Sequence, residues 1–261
     1  MDLQLSGKRA LLLGAGRGLG GAAAMAMAGD RCSVAVVART REAVEERAAL
    51  CRKAGAPKAV AIAADASDAG QLEGAVAQAG SELGGLDILV TLVGGSQPGG
   101  TEMDDAGWDA ALRRNLWPAI RATRLALPLL TARRSSSPRD QAVVLHVASI
   151  YGREGGGAMS YNVAKAALIS LAHEQARELA PRGVRVLSLA PGSILHPGGS
   201  WERRLQQDPA GTTAFVQREI PWGRFGTAEE VGDVIAFLCS PRASWVAGAC
   251  VVVDGAQSRA F

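Results

Sequence analysis

Short runs of aliphatic and β-branched residues alternate with longer, alanine-rich stretches along almost the whole chain. This alternation predicts repeated βα units and therefore a parallel sheet. Strands are predicted at Arg9–Leu13, Ser33–Ala38, Ala59–Ala63, 87–91, Ala142–Val147, 184–189 and Cys250–Val253. Helices are predicted at 19–28, Arg41–Ala54, Ala69–Leu83, 105–130, 161–179 and 228–238. The expected fold class is α/β, with a doubly wound, seven-stranded parallel sheet flanked by helices in one domain spanning 1–261.

Two features interrupt the regular pattern before the fifth strand. Pro118 and Pro128 lie within the fourth predicted helix and should interrupt or bend it, because proline lacks an N–H and clashes with the preceding turn. Residues 133–140 contain three consecutive serines and Pro138, so we predict an exposed loop there.

The segment 192–226 departs from the βα alternation. It contains several prolines and glycines together with the aromatic residues Trp201, Phe215, Trp222 and Phe225. Long connections in compact domains are usually functional, so we interpret this insertion as a lid over a ligand cleft. The alternative is a surface excursion whose aromatic side chains pack on the body of the domain.

Composition and charge narrow the range of partners. Apolar residues make up 48% of the chain and charged residues 20%, which is typical of a globular protein. The net charge of +3 is spread without a Lys/Arg block, so we expect no nucleic-acid partner. We also expect no membrane association and a cytoplasmic location, because the sequence contains no signal-peptide pattern and no apolar run of about 18 residues. The four cysteines lack C-x-x-C spacing and neighbouring histidines, so no metal site is predicted.

A glycine-rich segment follows the first predicted strand and opens into the first predicted helix. Glycines at such a junction let the backbone approach a pyrophosphate, which the N–H groups of a helix N-terminus can bind. A G-x-G-x-x-G match alone is weak, and a tight turn without a ligand is the alternative. Its place in a βα series is nevertheless what a dinucleotide-binding Rossmann fold requires. The cofactor-binding residues predicted from this segment are Gly14, Gly16, Arg17, Gly18, Leu19 and Gly20.

Tyr161 and Lys165 form a Tyr-x-x-x-Lys pair. Residues four apart share one face of a helix, so both side chains can project into one cleft. The ammonium of Lys165 can favour the phenolate and lower the pKa of Tyr161, and the pair therefore predicts acid/base chemistry. The chain contains only two tyrosines and four lysines, so a chance pair at this place is not expected.

With these motifs, nearly the whole chain resembles the short-chain dehydrogenase/reductase family. Gly14, Gly18 and Gly20 match the glycines of the family's Thr-Gly-x-x-x-Gly-x-Gly motif, with leucine in place of the threonine. The segment 223–255 resembles the 3-oxoacyl-acyl-carrier-protein reductase-like members. The family's Asn-Asn-Ala-Gly motif, whose first asparagine braces the central sheet, reads Thr-Leu-Val-Gly from Thr91 onward, and a hydroxyl cannot offer an amide's paired donor and acceptor.

The resemblance implies a catalytic set of Ser149, Tyr161, Lys165 and Asn115. Tyr161 would donate a proton to the carbonyl oxygen in reduction, or remove the hydroxyl proton in oxidation. Lys165 would also bind the nicotinamide ribose, Ser149 would polarise the carbonyl, and Asn115 would hold a water in a proton relay. A turn cap is the alternative role of Ser149. No lysine follows Tyr151 at helical spacing, so Tyr151 is assigned to the pocket wall.

The end of the second strand carries no acidic residue to hold the adenosine 2′-hydroxyl of NAD, because Ala38 occupies that place. Arg39 and Arg17 can instead bind a 2′-phosphate through charge-assisted hydrogen bonds, so NADP(H) is predicted rather than NAD(H). The alternative is that both arginines are solvated surface charges. The family match adds as cofactor-binding residues Asp65, Ala66, Val93, Gly94, Pro191, Gly192 and Ile194, together with Tyr161 and Lys165.

These inferences predict an oxidoreductase that transfers hydride between NADP(H) and a ketone or secondary alcohol. Trp201 in the lid segment, with Ser149 and Tyr151, is predicted to contact a substrate of apolar or aromatic character. His196, which replaces a family threonine, is interpreted as a loop residue. Alternatives are an NAD(H)-dependent hydroxysteroid or diol dehydrogenase and, from another class, a cofactor-binding regulator without turnover. The family also leads us to expect a homotetramer or homodimer.

Overall fold

The computed structural model describes residues 2–132, 137 and 139–260. Its strands are β1 (Arg9–Leu13), β2 (Ser33–Ala38), β3 (Ala59–Ala63), β4 (Ile88–Thr91), β5 (Ala142–Val147), β6 (Val184–Pro191), β7 (Ile194–Leu195), β8 (Gly226–Thr227) and β9 (Cys250–Val253). Its α-helices are α1 (Gly18–Gly29), α2 (Arg41–Ala54), α3 (Ala69–Leu83), α4 (Asp105–Asn115), α5 (Trp117–Ala132), α6 (Met159–Leu179), α7 (Ser200–Gln207), α8 (Pro209–Glu219) and α9 (Ala228–Cys239).

Seven of these strands form one parallel sheet in the order β3-β2-β1-β4-β5-β6-β9. The order reverses between β1 and β4, so the chain winds in opposite directions from that point. This confirms the predicted doubly wound sheet. In such sheets the carboxyl ends of the strands at the reversal flank the ligand crevice.

Helices cover both faces of the sheet, and β1 shows why its sequence is continuously apolar. Ala10 and Leu12 belong to the core under α1, α2 and α9, whereas Leu11 and Leu13 belong to the core under α3, α5 and α6. Successive side chains of a strand point to opposite faces, so a strand buried on both sides needs apolar residues at every position. In the described part of the chain, no helix is both long enough and apolar enough to cross a membrane.

The fourth predicted helix is two helices, α4 and α5, separated at Leu116. Pro118 lies in the first turn of α5, where its missing N–H leaves no helical hydrogen bond unmade. Pro128 lies inside α5 without ending it. The predicted interruption is therefore confirmed near Pro118, and a bend at Pro128 stays a prediction. The loop predicted over 133–140 lies for the most part outside the described residues.

The segment 192–226 contains more regular structure than its prolines and glycines indicated. It forms α7 and α8, and the strands β7 and β8 pair in parallel at its two ends. Asp208 caps α8 by accepting a hydrogen bond from the Gly211 N–H, and Pro209 occupies the first turn. An Asp-Pro pair at this place starts a helix, because the cap satisfies an N–H that the first turn leaves free.

Candidate active site

Two cavities, of about 420 and 540 Å³, lie at the carboxyl ends of the central strands. Both are lined by Gly14 and Arg17 after β1 and by Leu92 and Gly94 after β4. They therefore meet at the point where the strand order reverses, which is where doubly wound sheets bind ligands.

The glycine turn between β1 and α1 tolerates little beyond glycine. Gly14 and Gly18 have positive φ angles of 85° and 57°. A Cβ on Gly20 would lie 2.8 Å from the Ala15 Cα and closer still to the Gly14 carbonyl oxygen. Arg17 is the N-cap of α1, and its side chain makes no capping hydrogen bond. The turn thus brings a helix N-terminus without a side-chain cap to the cavity wall, as an anion site requires.

The larger cavity carries the residues predicted to hold the adenosine end of a cofactor. Ala38, Arg39 and Asp65 line it together with Arg17. The Asp65 carboxylate accepts hydrogen bonds from the Ser67 hydroxyl and N–H, and the hydroxyl bond is the main cause of its lowered pKa. The positive charge of Arg39 contributes to the same shift.

Arg114 is a third arginine of this cavity, and no sequence motif indicated it. It precedes Asn115 at the end of α4, and its charge also lowers the pKa of Asp65. Its position near the end of β3 depends on the packing of α4 against α5 and α6, which no local pattern encodes.

The smaller cavity brings Ser149, Tyr161 and Lys165 together. Ser149 follows β5, and its hydroxyl lies close enough to the Tyr161 phenol to favour the phenolate. The same oxygen accepts from the Tyr151 N–H and caps a 3-10 turn, so the capping role and the placement beside Tyr161 occur together. The Lys165 Nζ lies 5.6 Å from the centroid of the Tyr161 ring and donates to the Val147 carbonyl at 2.9 Å.

Gly152 allows this close assembly, a role that no sequence pattern indicated. A Cβ at Gly152 would lie 2.7 Å from the backbone carbonyl oxygen of Lys165. The turn that carries Ser149 therefore packs directly on the backbone of α6, and a larger residue would push the hydroxyl away from Tyr161.

The ionisation of the pair differs from the prediction. Burial lowers the pKa of Lys165 to about 8. Burial also raises the pKa of Tyr161 above its usual value, with the hydrogen bond from Ser149 opposing the shift. Loss of hydration therefore outweighs the hydrogen bonding that favours the phenolate, so the net shift is upward, and the contribution of Lys165 to the Tyr161 pKa stays a prediction.

Asn115 ends α4 behind the cavity instead of lining it. Its side chain accepts from the Gly95 N–H at 2.9 Å and donates to the carbonyls of Gly95 and Ala111. A Cβ on Gly94 would lie 2.7 Å from the Asn115 Oδ1 and 3.1 Å from the Lys165 Nζ. Asn115 and Lys165 thus meet behind Gly94, and the water relay of Asn115 stays a prediction.

The predicted substrate contacts, Tyr151 and Trp201, line the smaller cavity beside Ser149. The Trp201 ring centroid lies 4.6 Å from that of Phe215 and 5.0 Å from that of Phe225. These two phenylalanines support the tryptophan from within the insertion.

Trp222 does not join this aromatic cluster. It is 69% exposed, and the guanidinium of Arg224 lies over its ring. His196 lines the smaller cavity against Gly18, so this residue, interpreted as a loop residue, lies beside the glycine turn.

All residues predicted to bind the cofactor line one of the two cavities. The smaller is lined by Gly18, Leu19, Gly20, Tyr161, Lys165, Pro191, Gly192 and Ile194, the larger by Gly16, Arg39, Asp65, Ala66 and Val93, and both by Gly14, Arg17 and Gly94.

Comparison with known sequences identifies related proteins. A family model described as Enoyl-(Acyl carrier protein) reductase matches residues 14–256. Cis-4-hydroxycyclohexanecarboxylate dehydrogenase of Sinomonas cyclohexanicum is 32% identical over 249 residues, covering 94% of each chain. A 3-oxoacyl-(acyl-carrier-protein) reductase of Thermotoga maritima is 30% identical over 257 residues, covering 97% of this chain and 98% of its own.

Solved structures give the same result. L-sorbose reductase of Gluconobacter frateurii, in complex with NADPH and L-sorbose, superimposes with a TM-score of 0.91 at 28% identity, covering 100% of both chains. A 7α-hydroxysteroid dehydrogenase in complex with NADH and 7-oxo glycochenodeoxycholic acid gives a TM-score of 0.88 at 28% identity, covering 99% of this chain and 97% of that one. The chain belongs to the short-chain dehydrogenase/reductase family of oxidoreductases and resembles its 3-oxoacyl-acyl-carrier-protein reductase-like members.

Proposed function

We propose that the protein reduces a ketone to a secondary alcohol, or catalyses the reverse reaction, with NADP(H) as the hydride carrier. The observation that supports this most directly is the placement of Ser149, Tyr161 and Lys165 in one cavity that continues to the glycine turn after β1. Two hydroxyls and a cation at one point can hold a carbonyl oxygen and supply its proton.

The residues of the two cavities fit a nicotinamide dinucleotide. Gly14, Gly18 and Gly20 line the cavity at the N-terminus of α1, which lacks a side-chain cap and would bind a pyrophosphate there. Lys165 would hydrogen-bond the nicotinamide ribose, and Ile194 would meet the carboxamide through its backbone. When bound, the reduced nicotinamide supplies the hydride.

The preference for NADP(H) rests on charge. Ala38 leaves the end of β2 without a carboxylate, while Arg17 and Arg39 line the same cavity. A guanidinium forms paired, charge-assisted hydrogen bonds with phosphate oxygens, whereas a carboxylate would repel them. The NADPH complex of the similar sorbose reductase is consistent with this choice.

The proton would come from Tyr161. Because burial raises its pKa, the phenol is protonated at neutral pH and ready to donate to a carbonyl oxygen. Ser149 would hold the same oxygen and stabilise the charge that develops on it. Lys165 would stabilise the phenolate left after the transfer, and Asn115 would hold a water that returns the proton.

The substrate is expected to present an apolar or aromatic group beside its carbonyl. We propose that 192–226 closes over the cavity as a lid, with Trp201 and Tyr151 as the wall that meets this group. The name of the Sinomonas relative describes a secondary alcohol on a saturated ring, which is chemistry of the same kind.

An NAD(H)-dependent hydroxysteroid or diol dehydrogenase is the second candidate, and the NADH complex of the similar hydroxysteroid dehydrogenase supports it. A homotetramer or homodimer and a cytoplasmic location stay predictions. Size-exclusion chromatography with light scattering tests the first, and fractionation of cells tests the second.

Fluorescence titration with NADPH and NADH distinguishes the two candidates. We expect tighter NADPH binding, and about tenfold or more weakening in Arg39→Ala through the lost charge-assisted bonds. Arg41→Ala is the matched control, because Arg41 is exposed and pairs with Glu45 on its own helix. Preference for NADH, or equal weakening of NADPH binding in both variants, would refute the proposed role of Arg39 in binding the 2′-phosphate.

A screen of apolar ketones with NADPH then tests turnover, beside a Tyr161→Phe variant. Turnover by the wild type and its loss in the variant are expected, because phenylalanine keeps the ring but has no proton to give. Cofactor binding without turnover on any ketone or alcohol would favour the regulator hypothesis.

A further inference from the structure

We propose that Thr91, His146 and Gln175 are positioning residues whose hydrogen-bond chain holds Lys165 beside Tyr161. This inference rests on the proposed function. It also assigns a role to Thr91, which stands where the family has an asparagine that braces the sheet.

The chain joins three elements of the fold. The Thr91 Oγ1 on β4 lies 2.8 Å from the His146 Nδ1 on β5, and the His146 Nε2 lies 2.9 Å from the Gln175 Oε1 on α6. An amide oxygen only accepts, so His146 carries its proton on Nε2 and accepts the Thr91 hydroxyl proton on Nδ1. Both polar ends of the imidazole are thereby satisfied.

The Lys165 side chain reaches from α6 to β5, the two elements that this hydrogen-bond chain ties together. His146 directly precedes Val147, whose carbonyl accepts the Lys165 ammonium at 2.9 Å. Gln175 lies on α6, the helix that carries Tyr161 and Lys165. Fixing β5 against α6 through His146 therefore fixes the distance between the ammonium and its acceptor.

The Thr91 end of the hydrogen-bond chain lies close to the glycine turn of the cofactor cavity. Thr91 ends β4, and the carbonyl oxygen of the next residue, Leu92, would lie 3.0 Å from a Cβ on Gly14. A shift of Thr91 would thus move the backbone that lies against the glycine turn.

Burial of Thr91 and His146 makes the hydrogen bond between them specific. His146 is 0% exposed and Thr91 3% exposed, so a lost partner leaves a buried polar atom without a hydrogen bond. Burial lowers the pKa of His146 to about 4, and the nearby charge of Lys165 acts in the same direction. The imidazole is therefore neutral at working pH and can accept from Thr91 without repelling Lys165.

Thr91→Val tests the chain because it keeps the shape of the side chain and removes the hydroxyl. Thr123→Val is the matched control: Thr123 is equally buried, and its hydroxyl donates to Ala119 within α5. We expect Thr91→Val to lower kcat about tenfold or more with little change in KM, since small displacements of catalytic groups cost rate. It should also move the high-pH limb of the kcat profile, which Lys165 sets.

Thr91→Ser keeps a hydroxyl and should restore most of kcat and the wild-type pH profile. The chain would be refuted by a wild-type profile in Thr91→Val. Equal losses of kcat in Thr91→Val and Thr123→Val would also refute it, because they would indicate general destabilisation.

A spectroscopic measurement that needs no turnover tests this inference separately from the proposed function. The protein contains three histidines, so ¹⁵N imidazole spectra can be assigned with a His146→Gln variant. We expect a neutral His146, protonated on Nε2, that does not titrate between pH 5 and 8. A His146 that titrates in this range, or carries its proton on Nδ1, would refute the proposed hydrogen-bond chain even if the enzyme is active. If the His146 spectrum is as expected but no ketone is reduced, the proposed function is refuted instead.

Discussion

Protonation of His146 should couple the stability of the protein to pH. The folded chain holds this imidazole with a pKa of about 4, whereas an unfolded chain exposes it with an ordinary value of about 6.5. Between these values the unfolded state binds a proton that the folded state does not, so stability falls as the pH falls. At about 1.4 kcal/mol per pH unit, this interval corresponds to about 3 kcal/mol, a large part of an ordinary domain's stability.

Denaturant unfolding at pH 7, 6, 5 and 4.5 measures this effect. Carboxylates also titrate in the lower part of this range, so the informative quantity is the difference between the wild type and His146→Gln. The wild type should lose more unfolding free energy on acidification than the variant, by up to about 3 kcal/mol. Protomer concentration must be constant, because any assembly of subunits adds to the apparent stability.

His173→Gln is the control, because His173 is exposed on the same helix, α6, that carries Gln175. The unfolding free energy of His173→Gln should fall with decreasing pH in parallel with that of the wild type. Parallel curves for the wild type and His146→Gln would refute the reasoning, since they would mean that His146 has the same pKa in both states.

Three further predictions follow from the site. Gly20→Ala should weaken cofactor binding more than tenfold and destabilise the fold by about 1–3 kcal/mol, because the added Cβ overlaps the Gly14 carbonyl. Calorimetry and titration measure both effects, and Gly74→Ala in α3, where a Cβ meets nothing within 4 Å, is the control. The rate of ketone reduction should fall as pH rises through about 8, because Lys165 loses its proton there, and a stopped-flow pH profile that stays flat to pH 10 would contradict this. Trp201→Ala should raise KM for bulky apolar ketones about tenfold and change KM for small ones little, as steady-state assays of a ketone series would show.

The fold was predictable because its central strands are buried on both faces. Leu11 and Leu12 point to opposite sides of β1, so the strand appears in the sequence as an uninterrupted apolar run. The helices α7 and α8 were missed because Pro209 resembles a break, although at a helix start it is favourable.

The candidate site was predictable where function depends on local spacing. Tyr161 and Lys165 are one helical turn apart, and the glycine turn is contiguous. The link between Thr91 and His146 spans 55 positions, and no local pattern predicts it. The raised pKa of Tyr161 also depends on burial, which appears only after the helices pack.

Transfer of deuterium tests the central proposal most directly. NADPH carrying deuterium at the transferred position would be mixed in single turnover with the protein and a ketone from the screen, and the alcohol analysed by mass spectrometry. We expect deuterium on the carbinol carbon with the wild type and none with Tyr161→Phe, although both bind NADPH. Deuterium retained on the cofactor with every ketone, or equal transfer by the variant, would contradict it.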